Sequence, residues 1–166
     1  MASFEFLAII LTGLGMTISL LYYTFTLQNA NKTRQAALFM NIYNQTTTKE
    51  AQEDYMIIET IEMNSVQDWN ELKKNPEIFK VLAWHFTYYE GIGVLLHEGL
   101  IDVGLVARMY SGNIIWFWEK YRDGVMDLRK HTNWARWAVE VEYFYDQMVA
   151  YSKKHPDMNI STPDSR

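Results

Sequence analysis

Residues 6–27 read FLAIILTGLGMTISLLYYTFTL, an apolar stretch without a charged residue or a histidine. As an α-helix, these 22 residues extend about 33 Å, which matches a bilayer hydrocarbon core of roughly 30 Å. Tyr22 and Tyr23 lie near its end, and tyrosine rings favour the membrane–water interface. The stretch therefore predicts a transmembrane helix, with residues 1–28 as a membrane anchor.

Two other structures begin with an apolar stretch of this kind. A cleaved signal peptide has a basic start, a shorter apolar core and small residues before the cleavage site. Here the first six residues, MASFEF, contain no lysine or arginine, and QNA at residues 28–30 is a poor cleavage site. A buried helix of a soluble protein rarely runs this far without a charge. Both comparisons favour the anchor.

The charges beside the anchor predict its orientation. Lys32 and Arg34 follow the apolar stretch directly, whereas the N-terminal side carries Glu5. Positive residues beside a transmembrane helix remain on the cytoplasmic side. We therefore expect a single-pass protein of the cell membrane, with its N-terminus outside and its domain in the cytoplasm.

Small residues recur along one face of the anchor. Ala8, Thr12, Gly15 and Ser19 are spaced i, i+4, i+7 and i+11, which places them in one row along a helix. Small side chains in such a row let a second helix approach closely. The row predicts a packing face for another membrane protein or a second copy, and ordinary scatter of small residues is the alternative.

The region after the anchor shows helical periodicity. No proline or glycine follows the anchor before Asn44, so we expect its helix to continue to about that residue. Thr47 with Glu50 three residues later forms a capping box, which predicts a second helix. A short third helix is expected around Trp69.

The second half of the chain predicts further helices. Asn75 before Pro76 is typical of a helix start, and this helix should end near Gly99. After a brief helix, Ser111 is expected to cap another one, and the last helix should begin around Trp134. No stretch of alternating polar and apolar residues rivals these patterns.

These patterns predict an all-α protein in which one N-terminal transmembrane helix continues into a small bundle of about five helices. The bundle should occupy residues 29–152. Residues 153–166 contain two of the three prolines and little hydrophobic mass, so they are predicted to be a disordered tail.

Composition excludes several classes of protein. The 166 residues include no cysteine, which rules out disulfides, thiolate zinc sites and cysteine nucleophiles. The formal net charge is −5. Because nucleic-acid-binding domains normally present a basic surface, no nucleic-acid partner is expected.

Familiar catalytic and metal-binding motifs are incomplete. His97-Glu98 resembles the start of a zinc-protease motif, but Ile101 stands where the second histidine must lie. A di-iron bundle needs a glutamate three residues before a histidine, and none of the four histidines has one. We therefore predict no catalytic residue, no metal site and no cofactor.

One set of polar residues is a candidate buried cluster. Glu90, Gly93 and His97 share a face of the helix after Pro76, and the glycine makes that face thin enough for another helix. A buried carboxylate needs a cation or hydrogen-bond donors. The candidate basic partners are Arg129, Arg122 and Arg108. Glu90, His97 and Arg129 could form a ligand pocket or metal site, or a structural ion pair that fixes helix packing.

The run YYEGIGVLLHEGLIDVGLVARMYSGNIIWFWEKYRDGVMDLRK, residues 88–130, resembles a family of uncharacterised bacterial and archaeal membrane proteins catalogued as a domain of unknown function. The resemblance extends over about Ile18–Tyr145. It implies a membrane-anchored helical domain and no particular activity, substrate or catalytic residue. The matching positions are Glu90, Gly93, Gly99, Leu100, Ile101, Asp102, Trp118, Glu119 and Arg129.

Three functions fit the sequence. The favoured one is a membrane-tethered interaction or accessory module, such as a small subunit of a larger membrane complex, with membrane lipid, other membrane proteins or a second copy as partners. The alternative is an enzyme or small-ligand sensor with a polar pocket around Glu90, His97 and Arg129. The third is a structural spacer without a ligand. A cavity shared by those three side chains would favour the second.

Overall fold

The computed structural model describes residues 2–158, and every regular element in that range is a helix. Five helices follow the long N-terminal one, so the predicted all-α class and bundle are confirmed. The elements are α1 (Ala2–Thr46), α2 (Lys49–Thr60), α3 (Val66–Leu72), α4 (Pro76–His97), α5 (Val103–His131), α6 (Val139–Lys154) and a short 3-10 helix (Pro156–Met158).

The chain divides into two compact units, Met1–Leu38 and Phe39–Arg166. In the first unit, an apolar 18-residue window of α1 has a mean hydropathy of 2.0 and none of it is buried. By length and composition this helix could span a membrane or serve as a signal sequence. The unit boundary at Leu38 lies ten residues after the predicted end of the anchor at residue 28, where the apolar stretch gives way to polar residues.

The core of the second unit forms where α6 packs against both α4 and α5. Tyr121, Phe117 and Phe144 are fully buried at its centre. Phe86 and Tyr89 of α4 each lie 4.8 Å from the Phe117 ring, measured between ring centroids. These large aromatic side chains supply much of the apolar area that the domain buries. Helices α2 and α3 pack against this central group.

Helix α4 has the predicted boundaries. The side chain of Asn75 accepts a hydrogen bond from the Ile78 N–H, and Pro76 is the first helical residue. Beyond the last residue of the helix, Gly99 has φ +62°. This left-handed conformation ends helices and favours glycine.

The cap of α2 lies one residue later than predicted. Thr48, not Thr47, is the N-cap residue, and its hydroxyl accepts a hydrogen bond from the Ala51 N–H at 3.1 Å. Thr47 instead donates its hydroxyl to the Tyr43 carbonyl at the end of α1. The predicted end of α1 at Asn44 is two residues short of the observed one at Thr46.

The predicted helix boundary at Ser111 is wrong, because α5 runs without a break through this position. Tyr110 and Ile114 are both buried, so the apolar face of the helix continues past Ser111. Burial of that face outweighs the moderate preference of serine for helix ends. The helix is capped instead by Asp102, whose side chain accepts a hydrogen bond from the Leu105 N–H at 2.9 Å.

The predicted start of the last helix near Trp134 is also wrong. Residues 135–138 form turns, and α6 begins at Val139. The residue before it, Ala138, has φ 57° and makes no side-chain cap. The Trp134 and Trp137 rings lie 6.4 and 4.9 Å from the Trp69 ring. The two tryptophans are spaced as on one face of a helix, but they pack against Trp69 from a non-helical segment.

The C-terminal end is helical further than predicted. Helix α6 continues to Lys154, and the 3-10 helix follows at Pro156–Met158. The predicted tail at 153–166 thus begins inside regular structure. Its remaining part, residues 159–166, lies outside the described residues.

Gly93 marks the closest approach of α4 to α6. A Cβ atom at this position would overlap the backbone carbonyl group of Glu140. Gly91, two residues earlier on the same helix, has no neighbouring atom within 4 Å of an equivalent Cβ. The two glycines therefore form a matched pair in which only one is needed for packing.

We expect Gly93→Ala to lower the free energy of unfolding by about 1–3 kcal/mol, because the extra methyl forces α4 and α6 apart. Gly91→Ala should leave stability unchanged or raise it by up to about 1 kcal/mol. Urea unfolding of the full chain in detergent, followed by tryptophan fluorescence, measures this, since all six tryptophans lie in the second unit. Equal stabilities of the two variants would contradict the packing argument.

Candidate functional site

Glu90 takes the place of the missing cap of α6. Its Oε2 atom accepts a hydrogen bond from the Val141 N–H at 3.0 Å. Val141 is the third residue of α6, where free N–H groups and the positive end of the helix favour a carboxylate. Since Ala138 provides no side-chain cap, this contact from α4 gives one free N–H group at the start of α6 its hydrogen-bond acceptor.

The surroundings of Glu90 also affect its protonation. Burial raises the pKa of Glu90 above its usual value, and the backbone N–H groups of Val141 and Glu140 and the charge of Arg129 offset only part of this rise. The ionised carboxylate is therefore less stable in the folded protein than in water. It is nevertheless placed where a helix N-terminus attracts it.

Arg129 holds the same part of the chain from α5. Its Nε–H donates to the Trp137 carbonyl at 2.8 Å, and its Nη1 lies 2.6 Å from Oε2 of Glu142. The side chain is 15% exposed, and its guanidinium carbon lies 5.9 Å from the centre of the Trp118 ring. Within the described residues its buried Nη2 has no hydrogen-bond partner. Arg129 thus ties α5 to the turn before α6 and to α6 itself.

His97 lies at the outside of this region. Its side chain is 57% exposed, and Nδ1 lies 3.0 Å from Oε2 of Glu140. The imidazole ring stacks on Tyr143 with 4.5 Å between the ring centres. Over residues 2–158, no group of three His, Cys, Asp or Glu side chains is placed to hold a metal ion.

The three predicted site residues therefore meet one segment and do not line one pocket. From α4, Glu90 contacts Val141 and His97 contacts Glu140. From α5, Arg129 contacts Trp137 and Glu142. We call these contacts the α6 clamp. The geometry favours the structural alternative, in which polar contacts fix how the helices pack.

A cavity of about 870 Å³ opens beside the clamp, between α3, α4 and residues 133–138. We call it the Glu90 cavity, because Glu90 lines it whereas His97 and Arg129 do not. Its walls are mainly aromatic, formed by Trp69, Phe79, Phe86, Trp134 and Trp137. Its polar side chains are Thr87, Glu90, Asn133 and Arg136.

The Glu90 cavity offers groups for binding, not a nucleophile with its base. Thr87 supplies the one side-chain hydroxyl among its lining residues and donates it to the Ala83 carbonyl at 2.9 Å. Trp69 Nε1 is buried without a hydrogen-bond partner in the described part of the chain. Lys73 Nζ lies 5.3 and 5.5 Å from the centres of the Trp69 and Trp134 rings, within the range of cation–π attraction.

Sequence reasoning missed this cavity, because it assigned Trp134 and Trp137 to a helix. The run NWARW at residues 133–137 places two tryptophans and an arginine together, and that concentration was the available signal. In the structure both tryptophans pack on Trp69, a residue that is distant in the sequence, so local pattern does not reveal this contact.

The predicted packing face of α1 is described within its own unit. Ala8, Thr12, Gly15 and Ser19 are all exposed, and no atom lies within 4 Å of a Cβ placed on Gly15. The Thr12 hydroxyl donates to the Ala8 carbonyl at 2.8 Å. The face has room for another helix, and its use stays a prediction.

Comparison with known families identifies the chain. A family model described as a domain of unknown function (DUF4760) matches residues 7–148. The match covers most of the chain, which therefore belongs to this family, and the predicted resemblance to a domain of unknown function is confirmed. Comparisons with curated proteins and with solved structures give no match.

We expect Glu90→Ala to lower the free energy of unfolding by about 1–2 kcal/mol, because the Val141 N–H loses its acceptor. Glu90→Gln should lower it less, since the amide oxygen still accepts this hydrogen bond. Urea unfolding of the full-length variants in detergent measures both.

The matched Gln variant also isolates the charge. Because the folded pKa of Glu90 is raised, the fold prefers its neutral form, and this preference is lost as the carboxyl ionises. Relative to Glu90→Gln, the unchanged protein should therefore lose stability as pH rises past the ordinary value of 4.5. If its stability rose instead, the attraction of the α6 N-terminus for the carboxylate would outweigh the cost of burying the charge.

Proposed function

We propose that this member of the DUF4760 family is a membrane-tethered helical interaction or accessory module. The observation that supports it best is the complete exposure of the apolar window of α1. Apolar surface of this extent is costly in water, whereas lipid covers it and the helix satisfies its own backbone hydrogen bonds. Membrane lipid is therefore its first proposed partner.

The proposed topology places the N-terminus outside the cell membrane and the helical domain in the cytoplasm. Its support is the pair Lys32 and Arg34 after the apolar stretch, against Glu5 before it. In the cytoplasm, the domain would present its cavities and its acidic surface to soluble components and to neighbouring membrane proteins.

The proposal predicts that the full-length chain sediments with membranes, resists washing at high pH and dissolves in detergent. Topology is testable because the chain has no cysteine, so an introduced thiol is unique. We expect Lys154→Cys to react with a membrane-impermeant maleimide only after cells are permeabilised, and Ser3→Cys to react in intact cells. A shortened, soluble product would instead support the signal-sequence alternative.

The contacts of the polar candidates favour an interaction module over an enzyme or small-ligand sensor built on those residues. A pocket around Glu90, His97 and Arg129 requires the three side chains to converge on one ligand. Each is instead engaged with the start of α6. A ligand-binding alternative that uses any of these three residues as a cavity wall would have to use the Glu90 cavity, to which only Glu90 contributes.

A second partner is proposed within the membrane, either another membrane protein or a second copy. The support is the open row of small residues on α1, which would let a neighbouring helix pack closely. A larger membrane complex would use this row as its docking face. Thr17 lies about 160° around the helix from Ser19, and thus provides a control position.

If α1 pairs with a second copy through this row, Ser19→Cys should form a disulfide-linked dimer under mild oxidation in native membranes. Thr17→Cys should form much less, because its thiol faces away from the contact. Non-reducing electrophoresis measures both. Equal yields from the two variants would exclude the small-residue row as a self-association face.

A further inference from the structure

A second cavity, of about 290 Å³, lies between the end of α1, α2, α4 and α5. All its lining residues belong to the second unit. We call it the tyrosine cavity, because five tyrosines and one tryptophan contribute to its walls. These aromatic residues are Tyr43, Tyr55, Trp84, Tyr88, Tyr89 and Tyr110.

The electrostatic surroundings of the tyrosine cavity are acidic. None of its lining residues is Lys, Arg, Asp or Glu. The adjacent α2 carries Glu50, Glu53, Asp54 and Glu59 against one basic residue, Lys49. Lys49 is itself 3.3 Å from a carboxylate oxygen of Glu53. An anion would therefore enter this cavity without a positive partner, whereas a cation would be attracted.

Some hydroxyl groups of the cavity already have partners. Tyr88 donates its hydroxyl to the Ile42 carbonyl at 3.2 Å. The hydroxyls of Tyr110 and Thr46 lie 2.9 Å apart. These bonds hold the rings of the wall in position. They leave other polar groups of the lining available to a ligand.

His85 is the first of these available groups. The residue is 4% exposed, and Nδ1 lies 2.9 Å from the Val81 carbonyl. Nδ1 must therefore carry the hydrogen, so Nε2 of the neutral ring presents a lone pair. Burial lowers the pKa of His85, which keeps the ring neutral near pH 7. No described residue donates a hydrogen bond to Nε2.

Tyr89 is the second available group. It is 4% exposed and lines the same cavity, and its hydroxyl has no hydrogen-bond partner in residues 2–158. Burial raises the pKa of Tyr89, and Tyr55 and Tyr110 add to that rise. Tyr55 and Tyr110 line the cavity together with Tyr89, and the unpartnered Tyr89 hydroxyl can accept a hydrogen bond from a ligand.

We propose that the tyrosine cavity binds a small organic ammonium ion with a primary or secondary amine. The aromatic faces attract the positive charge, while His85 Nε2 and the Tyr89 hydroxyl accept its N–H groups. The low volume restricts the ligand to a small one. A metal ion is a poor fit, because the cavity lacks the carboxylate or multiple histidine ligands that hold one.

The test is isothermal titration calorimetry of the full-length protein in an uncharged detergent with three probes of matched size: 2-phenylethylammonium, 2-phenylethanol and phenylacetate. Detergent without protein corrects for partitioning. We expect the ammonium ion to bind roughly tenfold tighter than the alcohol and phenylacetate to bind no better than the alcohol. Equal affinity for the ammonium ion and the alcohol, or tightest binding of phenylacetate, would overturn the proposal.

Two variants assign the binding to this cavity. Tyr89→Phe keeps the ring and removes one acceptor, so affinity for 2-phenylethylammonium should fall roughly fivefold. Tyr143→Phe, outside the cavity, is its control and should not change affinity. Ala51→Leu fills the cavity from α2 without removing a polar group and should abolish binding. Unchanged binding in Ala51→Leu places the ligand elsewhere and refutes the assignment, even if Tyr89→Phe fails to fold.

Discussion

The packing of the helical domain depends on how the polar groups at the start of α6 obtain hydrogen-bond partners. This helix begins after a left-handed alanine and has no side-chain cap of its own, yet it packs against both α4 and α5. Glu90 from α4 and Arg129 from α5 supply the missing polar contacts, one to a free N–H and the other to a carbonyl and a carboxylate. Buried helix ends need such partners, so these two residues determine where α6 can sit.

The same constraint explains the close approach of α4 and α6. Gly93 has no side chain where the Glu140 backbone passes, and this lets Glu90, three residues earlier, reach the Val141 N–H. Polar contact and backbone contact therefore reinforce each other. The charged residues that looked most like a functional site are used to assemble the fold, and this is why they do not converge on a pocket.

Two cavities of the domain are lined by large aromatic side chains. Trp69, Phe86 and Trp137 contribute to the walls of one cavity, and five tyrosines contribute to the walls of the other. The Glu90 cavity has a mainly apolar wall that includes two charged residues, Glu90 and Arg136. The tyrosine cavity has uncharged polar walls in acidic surroundings. In the lining of both cavities, aromatic side chains outnumber charged ones.

The sequence alone determined the properties that depend on local pattern. The apolar run before Gln28, with no proline or glycine after it up to Asn44, predicted one long N-terminal helix. The spacing of apolar residues predicted an all-α domain, and Asn75 with Pro76 predicted the start of α4. These features arise from residues a few positions apart, so propensity and capping rules can identify them. The sequence also singled out Glu90, His97 and Arg129, but it left open whether they form a pocket or fix the packing. Only the tertiary structure decided that question. It alone also revealed the unbroken α5, the turn before α6 and both cavities. These features involve contacts between residues that are distant in the chain. Trp137 packs on Trp69 from a turn, and Tyr110 is buried in the core, so α5 continues past Ser111. The Val141 N–H donates to Glu90, which lies fifty-one residues earlier.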